Sequence, residues 1–129
     1  MKYAIQVNSS PYAAQTGLDA LHFIQAAIAA DHQVLRVFFY QEGAYHAFRY
    51  AAAPADEIQI SASWSQLAAQ HGIDLVVCIS AAQRRGLLCS DEAGRIGKQD
   101  NDLGLGFRIA GLGQWLEAVV QADRCIVFA

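Results

Sequence analysis

An α/β sandwich around a mostly parallel five-stranded sheet is the fold this sequence predicts, with residues 1–129 forming one domain. Two observations predict it. Short β-branched and aromatic runs alternate with segments whose apolar residues recur every three or four positions, the pattern of strands and helices joined by right-handed crossovers. The composition, 54% hydrophobic and 16% charged, suits a chain that buries a core, and no internal repeat divides it.

The elements follow in order. Residues 3–7 alternate and end at Asn8-Ser9-Ser10-Pro11, a turn cluster that offers N-cap oxygens to a following helix. From Ala14 that helix lays Leu18, Leu21, Ile24 and Ile28 along one face and ends near Asp31. Residues 34–40, a β-branched and aromatic run, make the second strand. Residues 41–60 read as a loop with a helical turn at 44–50. Ser61 is placed to cap a helix through Trp64, Leu67 and Ala68 that stops at His71-Gly72, since glycine takes the left-handed conformation that ends helices. The third strand begins at Ile73 or Asp74 and ends on Cys78. Ser90-Asp91-Glu92 opens a short helix toward Ile96, and the glycine-rich stretch 97–106 reads as a mobile loop. A short strand at 107–109, a helix at 113–122 and a closing strand at 125–128 complete the chain. Five strands suggest a flavodoxin-like three-layer sandwich in the order 2-1-3-4-5, which would set Asn8 to Tyr12 and Cys78 together in the crevice at its switch point.

Several function classes are disfavoured. A formal net charge of −3 lacks the basic footprint that holds nucleic acid by its phosphates. Residues 1–8 resemble neither a signal peptide nor a transit peptide, and no stretch is long enough to span a membrane, so a cytoplasmic location is expected. Thiols stay reduced there, and three cysteines then imply chemistry or packing before disulfides. The first loop has neither G-x-G-x-x-G nor G-x-x-x-x-G-K-[ST], and its serines are caps more readily than a flavin phosphate loop, so no cofactor is expected. His22, His32, His46 and His71 show no zinc-ligand spacing, and no metal is expected. A Cys-His hydrolase would need His46 or His22 folded against Cys78. Two aromatic sets, Phe38-Phe39-Tyr40 and Tyr45, Phe48 and Tyr50, exceed the obvious core pattern and suggest burial in an oligomer, the alternative being that half of them line the core.

The residue with chemistry is Cys78, where the apolar run Leu75-Val76-Val77 gives way to the small-residue segment Ser80-Ala81-Ala82. A thiol at a helix start faces unpaired N–H groups and the positive end of the helix dipole, both of which favour thiolate. The alternative is a buried cysteine acting as a small hydrophobe. Arg84 and Arg85 lie six and seven residues on, roughly 9 to 10 Å along a continuous helix, and are better placed to meet a partner than the sulfur; the alternatives are that their charge favours the thiolate, if the helix breaks early at Gly86, or that they are two solvated arginines near a helix C-terminus. Cys89 reads as an incidental thiol, although a resolving role is conceivable, and Cys125 reads as core packing.

The run Cys78-Ile79-Ser80-Ala81-Ala82-Gln83-Arg84-Arg85-Gly86, with Phe38-Phe39-Tyr40 and Gly111-Leu112-Gly113-Gln114-Trp115-Leu116-Glu117-Ala118, resembles the DsrE/TusD family nearly end to end. At Cys89 the chain departs from the acidic residue such sequences carry. The resemblance implies a flavin-free, flavodoxin-like sulfur carrier with a persulfide on Cys78, assembled with TusC- and TusB-like (or DsrF- and DsrH-like) sister subunits into a heterohexamer. It further implies a TusA-like donor and a TusE- or DsrC-like acceptor. The expected pathway is 2-thiolation of the tRNA wobble uridine, with DsrE-type sulfur oxidation and a noncatalytic scaffold as the alternatives.

Overall fold

The computed structural model describes residues 1–98 and 101–129. Strands β1 (Lys2–Val7), β2 (Gln33–Phe39), β3 (Asp74–Cys78), β4 (Phe107–Ala110) and β5 (Arg124–Phe128) form one sheet whose neighbouring pairs all run parallel. Helices α1 (Thr16–Ala29), α2 (Ile60–His71), α3 (Ile79–Arg84), α4 (Ser90–Arg95) and α5 (Gly113–Gln121) connect them, and a 3-10 helix (Gln41–Ala47) follows β2. The α/β class is as expected, with a sheet that is wholly parallel.

The strand order differs from the expected one. It is β4-β3-β2-β1-β5, so β2 separates β1 from β3, and the chain reverses only when β5 returns to the far side of β1. Apolar periodicity locates strands but carries no information about the side on which each is added. The crevice at the reversal therefore lies beside β1 and β5, and Cys78 does not share it with Asn8 to Tyr12.

Laterally paired residues point to the same face of a parallel sheet, so register and ring contacts assign the layers. Val7 pairs with Phe39, and Phe39 with Val77. On that face Phe39 meets Trp64 of α2 edge-on at 5.0 Å, and Tyr3 meets Phe23 of α1 at 5.3 Å. On the opposite face Phe38 meets Trp115 of α5 at 6.1 Å. Thus α1 and α2 cover one face and α5 packs on the other, in three layers.

Local chemistry explains the boundaries. Gly72 ends α2 in the left-handed conformation, as expected. Ser61 is not the cap; Gln59 precedes α2 and its side-chain amide bridges back to both backbone groups of Ala53. The serines before α1 do not cap it either, and the Ser9 hydroxyl pairs instead with that of Thr16. The helical turn after β2 starts at Gln41, ahead of its expected place. The 97–106 loop is described on both sides of residues 99 and 100, which lie outside the described residues. Its latter part is tied to the 3-10 region through an antiparallel bridge between Phe48 and Leu103, and Gly104 N–H donates to the Ala47 carbonyl at 2.7 Å.

Two contacts seat the 3-10 helix on the sheet. A side chain on Gly43 would put its Cβ 1.9 Å from the Val7 carbonyl oxygen, so glycine alone permits this approach. His46 is fully buried, accepts from Trp64 Nε1 through Nδ1 at 3.0 Å, and donates from Nε2 to the Ser9 carbonyl at 3.1 Å. On the α5 face Asp74 binds Arg36 Nε at 2.6 Å and takes two bonds from Arg108 at 2.8 Å. Arg36 also donates to the Gln114 carbonyl at 2.7 Å, fastening β2 and β3 to α5.

These contacts generate two predictions. Gly43→Ala should lower stability by about 2 to 3 kcal/mol through overpacking, whereas Gly94→Ala, whose added Cβ meets open space within α4, should be neutral or slightly stabilising. Urea titrations of both variants check this. Burial, opposed by the Ser9 hydrogen bond, lowers the His46 pKa from 6.5 to about 4. The unfolded chain therefore binds the extra proton first as pH falls. The stability contributed by the neutral ring is complete above about pH 6.5 and is lost toward pH 4, by up to about 3 kcal/mol. Arg108 and Arg36 hold the Asp74 pKa below its ordinary 3.8 against burial, so its contribution is lost only at still lower pH. A denaturation midpoint that stays flat from pH 7 to 4.5 would contradict the His46 assignment.

Candidate functional site

Cys78 is the last residue of β3 and immediately precedes α3. Its register partner is Ala110, and it shares the face of Phe38 and Val76, which is the α5 face. Relative exposure of the residue is 1%, yet the next two residues, Ile79 and Ser80, are exposed. The sulfur is thus one residue beneath the surface. Its Sγ lies 3.4 Å from the Ser80 hydroxyl oxygen, a side-chain contact that follows from the tight turn between strand and helix.

Helix α3 is short. It has six residues, under about two turns, so its dipole is small beside that of a full helix. The stop is a Schellman motif: Gly86 at φ 75° donates to the Gln83 carbonyl at 3.2 Å, and Leu87 donates to the Ala82 carbonyl at 2.9 Å. Leu87 is fully buried and fixes this end of α3 to the core. Ala81 and Ala82 are buried too, so their small size serves close packing of α3.

The early stop separates the two arginines. Arg85 turns inward, donating to the Ala81 carbonyl at 3.0 Å and to Glu42 Oε1 at 2.5 Å, while its guanidinium lies 5.7 Å from the Tyr45 ring centre. It clamps the end of α3 to the 3-10 helix. Arg84 is exposed and points to solvent. Of the pair, Arg84 is the one available to another molecule. Glu42 was not visible as a partner in the sequence, because 43 residues separate it from Arg85 and no local pattern links them.

The remaining candidates are placed as follows. Both ring nitrogens of His46 are engaged by Trp64 and Ser9, and His22 is exposed on α1, so neither is arranged as a base for Cys78. Cys89 is partly exposed ahead of α4 and lines a cavity of about 110 Å³ with Ile79, Leu87 and Ile109. Cys125 is exposed, in contrast to its expected core position, because β5 is an edge strand whose Cys125 lies beyond the reach of α5 packing. Near the Arg85 clamp, Tyr12, Tyr45, Phe48 and Tyr50 line an open groove of about 630 Å³. Phe38 and Phe39 are fully buried, whereas Tyr45 and Tyr50 are exposed, so the two aromatic sets have different fates.

Comparison with known proteins bears on this arrangement. The profile of the DsrE/DsrF-like family matches residues 1–128. A curated protein of Allochromatium vinosum named "Putative sulfurtransferase DsrE" is 44% identical over 128 residues, covering 99% of this chain and 98% of that protein. Among solved structures, the YchN protein of E. coli superposes with a TM-score of 0.78 at 19% identity, covering 99% of each chain. The protein of unknown function MTH1491 from Methanobacterium thermoautotrophicum gives 0.71 at 16% identity, over 98% of this chain and 97% of that one. At such identities the two structures establish a shared fold. The family match and the relative together establish membership: this chain belongs to the DsrE/DsrF-like family.

Proposed function

We propose that the chain is a sulfurtransferase of a sulfur relay, with Cys78 as the residue that carries the transferred sulfur. The observation that carries the reading is the seat of Cys78 at the C-terminal end of a buried parallel strand, one residue below the exposed Ile79 and Ser80. Ligands of open parallel sheets meet the protein at this end of the strands. The 44% identical relative carries sulfurtransferase in its name, which supports the same chemistry here.

The transfer balances without an oxidant. The Cys78 thiolate attacks the outer sulfur of a donor persulfide, a new S–S bond forms on Cys78, the donor's S–S bond breaks, and its electron pair leaves with the donor thiolate. Passing sulfur on reverses the roles, with an acceptor thiolate attacking the outer sulfur of the Cys78 persulfide. Exposed Arg84 suits an acidic carrier approaching this rim. Cys89 is incidental to the relay.

The donor in this reading is a TusA-like carrier and the acceptor a TusE- or DsrC-like protein, all in the cytoplasm and without direct contact to nucleic acid. Among the described residues no helix is long and apolar enough to cross a membrane. The relative's name, DsrE, favours the DsrE type over the TusD type; for the DsrE type the resemblance implies exchange with a DsrC-like acceptor in sulfur oxidation in place of tRNA wobble uridine 2-thiolation. Sister subunits of TusC and TusB or DsrF and DsrH type complete the assembly. The exposed apolar residues Leu112, just ahead of α5, Leu116 and Val120 on α5, and Val127 on β5 support association with other subunits.

Intact mass spectrometry after incubation with a persulfide-loaded donor tests the reading. Wild type, Cys89→Ser and Cys125→Ser should each gain one sulfur atom that dithiothreitol removes, and Cys78→Ser should gain none. Sulfur retained by folded Cys78→Ser would overturn the assignment. An assembled complex containing Cys78→Ser that still passes sulfur to the acceptor would instead make this chain a scaffold.

A further inference from the structure

Resting on the reading of Cys78 as a sulfur nucleophile, we propose that the Ser80 hydroxyl is the hydrogen-bond donor that stabilises the Cys78 thiolate. A thiolate buried under its neighbours is costly unless donors replace the water it has lost, and it can only accept. Cys78 is 1% exposed, and its Sγ has the Ser80 hydroxyl oxygen at 3.4 Å, within reach of a hydrogen bond to sulfur. Among the described residues, no other side chain makes such a bond to that sulfur. The following residues, Ala81 and Ala82, have no side-chain donors; two nitrogens of the Arg85 guanidinium are taken by Glu42 and the Ala81 carbonyl, and its buried Nε bonds to no partner, the Cys78 sulfur included.

The contact works in both protonation states. In the thiol form either group can donate to the other. When the thiol loses its proton to solvent, only the hydroxyl can donate, and rotation about its C–O bond is enough to turn the hydrogen toward sulfur. A bond that strengthens when its acceptor becomes charged favours the attacking state over the resting one. Ser80 is exposed, so the hydroxyl also lies on the side from which solvent and a reagent approach.

The test measures alkylation of Cys78 by iodoacetamide in the full chain, on a Cys89→Ser, Cys125→Ser background that leaves one thiol. Ser80→Ala should react about tenfold more slowly near neutral pH, as expected for loss of one hydrogen bond to an anion. The deficit should shrink as pH rises and the thiolate forms unaided, and Ser80→Thr, which keeps the hydroxyl, should recover most of the rate. Equal rates in urea-unfolded chains and unchanged thermal midpoints would assign the effect to the folded contact. A Ser80→Ala variant that matches the parent at every pH, or a Ser80→Thr variant as slow as Ser80→Ala, would overturn the proposal. Alkylation needs no sulfur donor, so a Ser80 effect without persulfide uptake would sink the relay reading alone.

Discussion

Parallel pairing throughout the sheet is the constraint on which the rest of this structure depends. A parallel neighbour can be reached only by crossing over the sheet, and right-handed crossovers tie the direction of each step to the face its helix occupies. From β1 to β4 the chain steps one way, which puts α1 and α2 on one face; the single return to β5 puts α5 on the other. One face therefore carries the larger helical layer, and the other rests under a helix of nine residues.

That asymmetry shapes the site. Cys78 belongs to the α5 face, and the same face carries the Arg36, Asp74 and Arg108 network that ties strands to helix. A charged lattice at the start of β3 and a thiol at its end leave the strand between them, Leu75 to Val77, fully apolar and fully buried. The strand is consequently a rigid mount for the sulfur. The thinner cover also leaves apolar residues of α5 and β5 in water, a surface composition more typical of subunits than of isolated proteins.

The second mount is the 3-10 helix. Gly43 lets it close onto the end of β1, His46 pins it beneath Trp64, and Glu42 and Tyr45 then hold Arg85 at the end of α3. The turn that carries Cys78, Ile79 and Ser80 is thereby held from both ends, by β3 on one side and by the Arg85 and Leu87 anchors on the other. A cysteine fixed in this way keeps its sulfur just beneath the surface without a mobile loop. Both mounts position the sulfur.

Much of the architecture was legible along the chain. The alternation of apolar runs and helical stripes located all five strands, Gly72 marked the end of α2, and the run from Leu75 to Gly86 pointed to Cys78 at a strand end. These are local properties, since periodicity, left-handed glycine and burial pattern each act within a few residues. Long-range choices were not legible. The position of β2 between β1 and β3, the exposure of Cys125 on an edge strand, the inward turn of Arg85 to Glu42 and the engagement of both His46 nitrogens depend on residues 18 to 43 or more positions apart. The sequence by itself thus determined the elements, the family and the candidate thiol, because those are written in short-range pattern and motif. Only the tertiary structure decided the strand order, the depth of the sulfur and its Ser80 neighbour, because they arise from how crossovers stack the layers and how one tight turn orients two side chains.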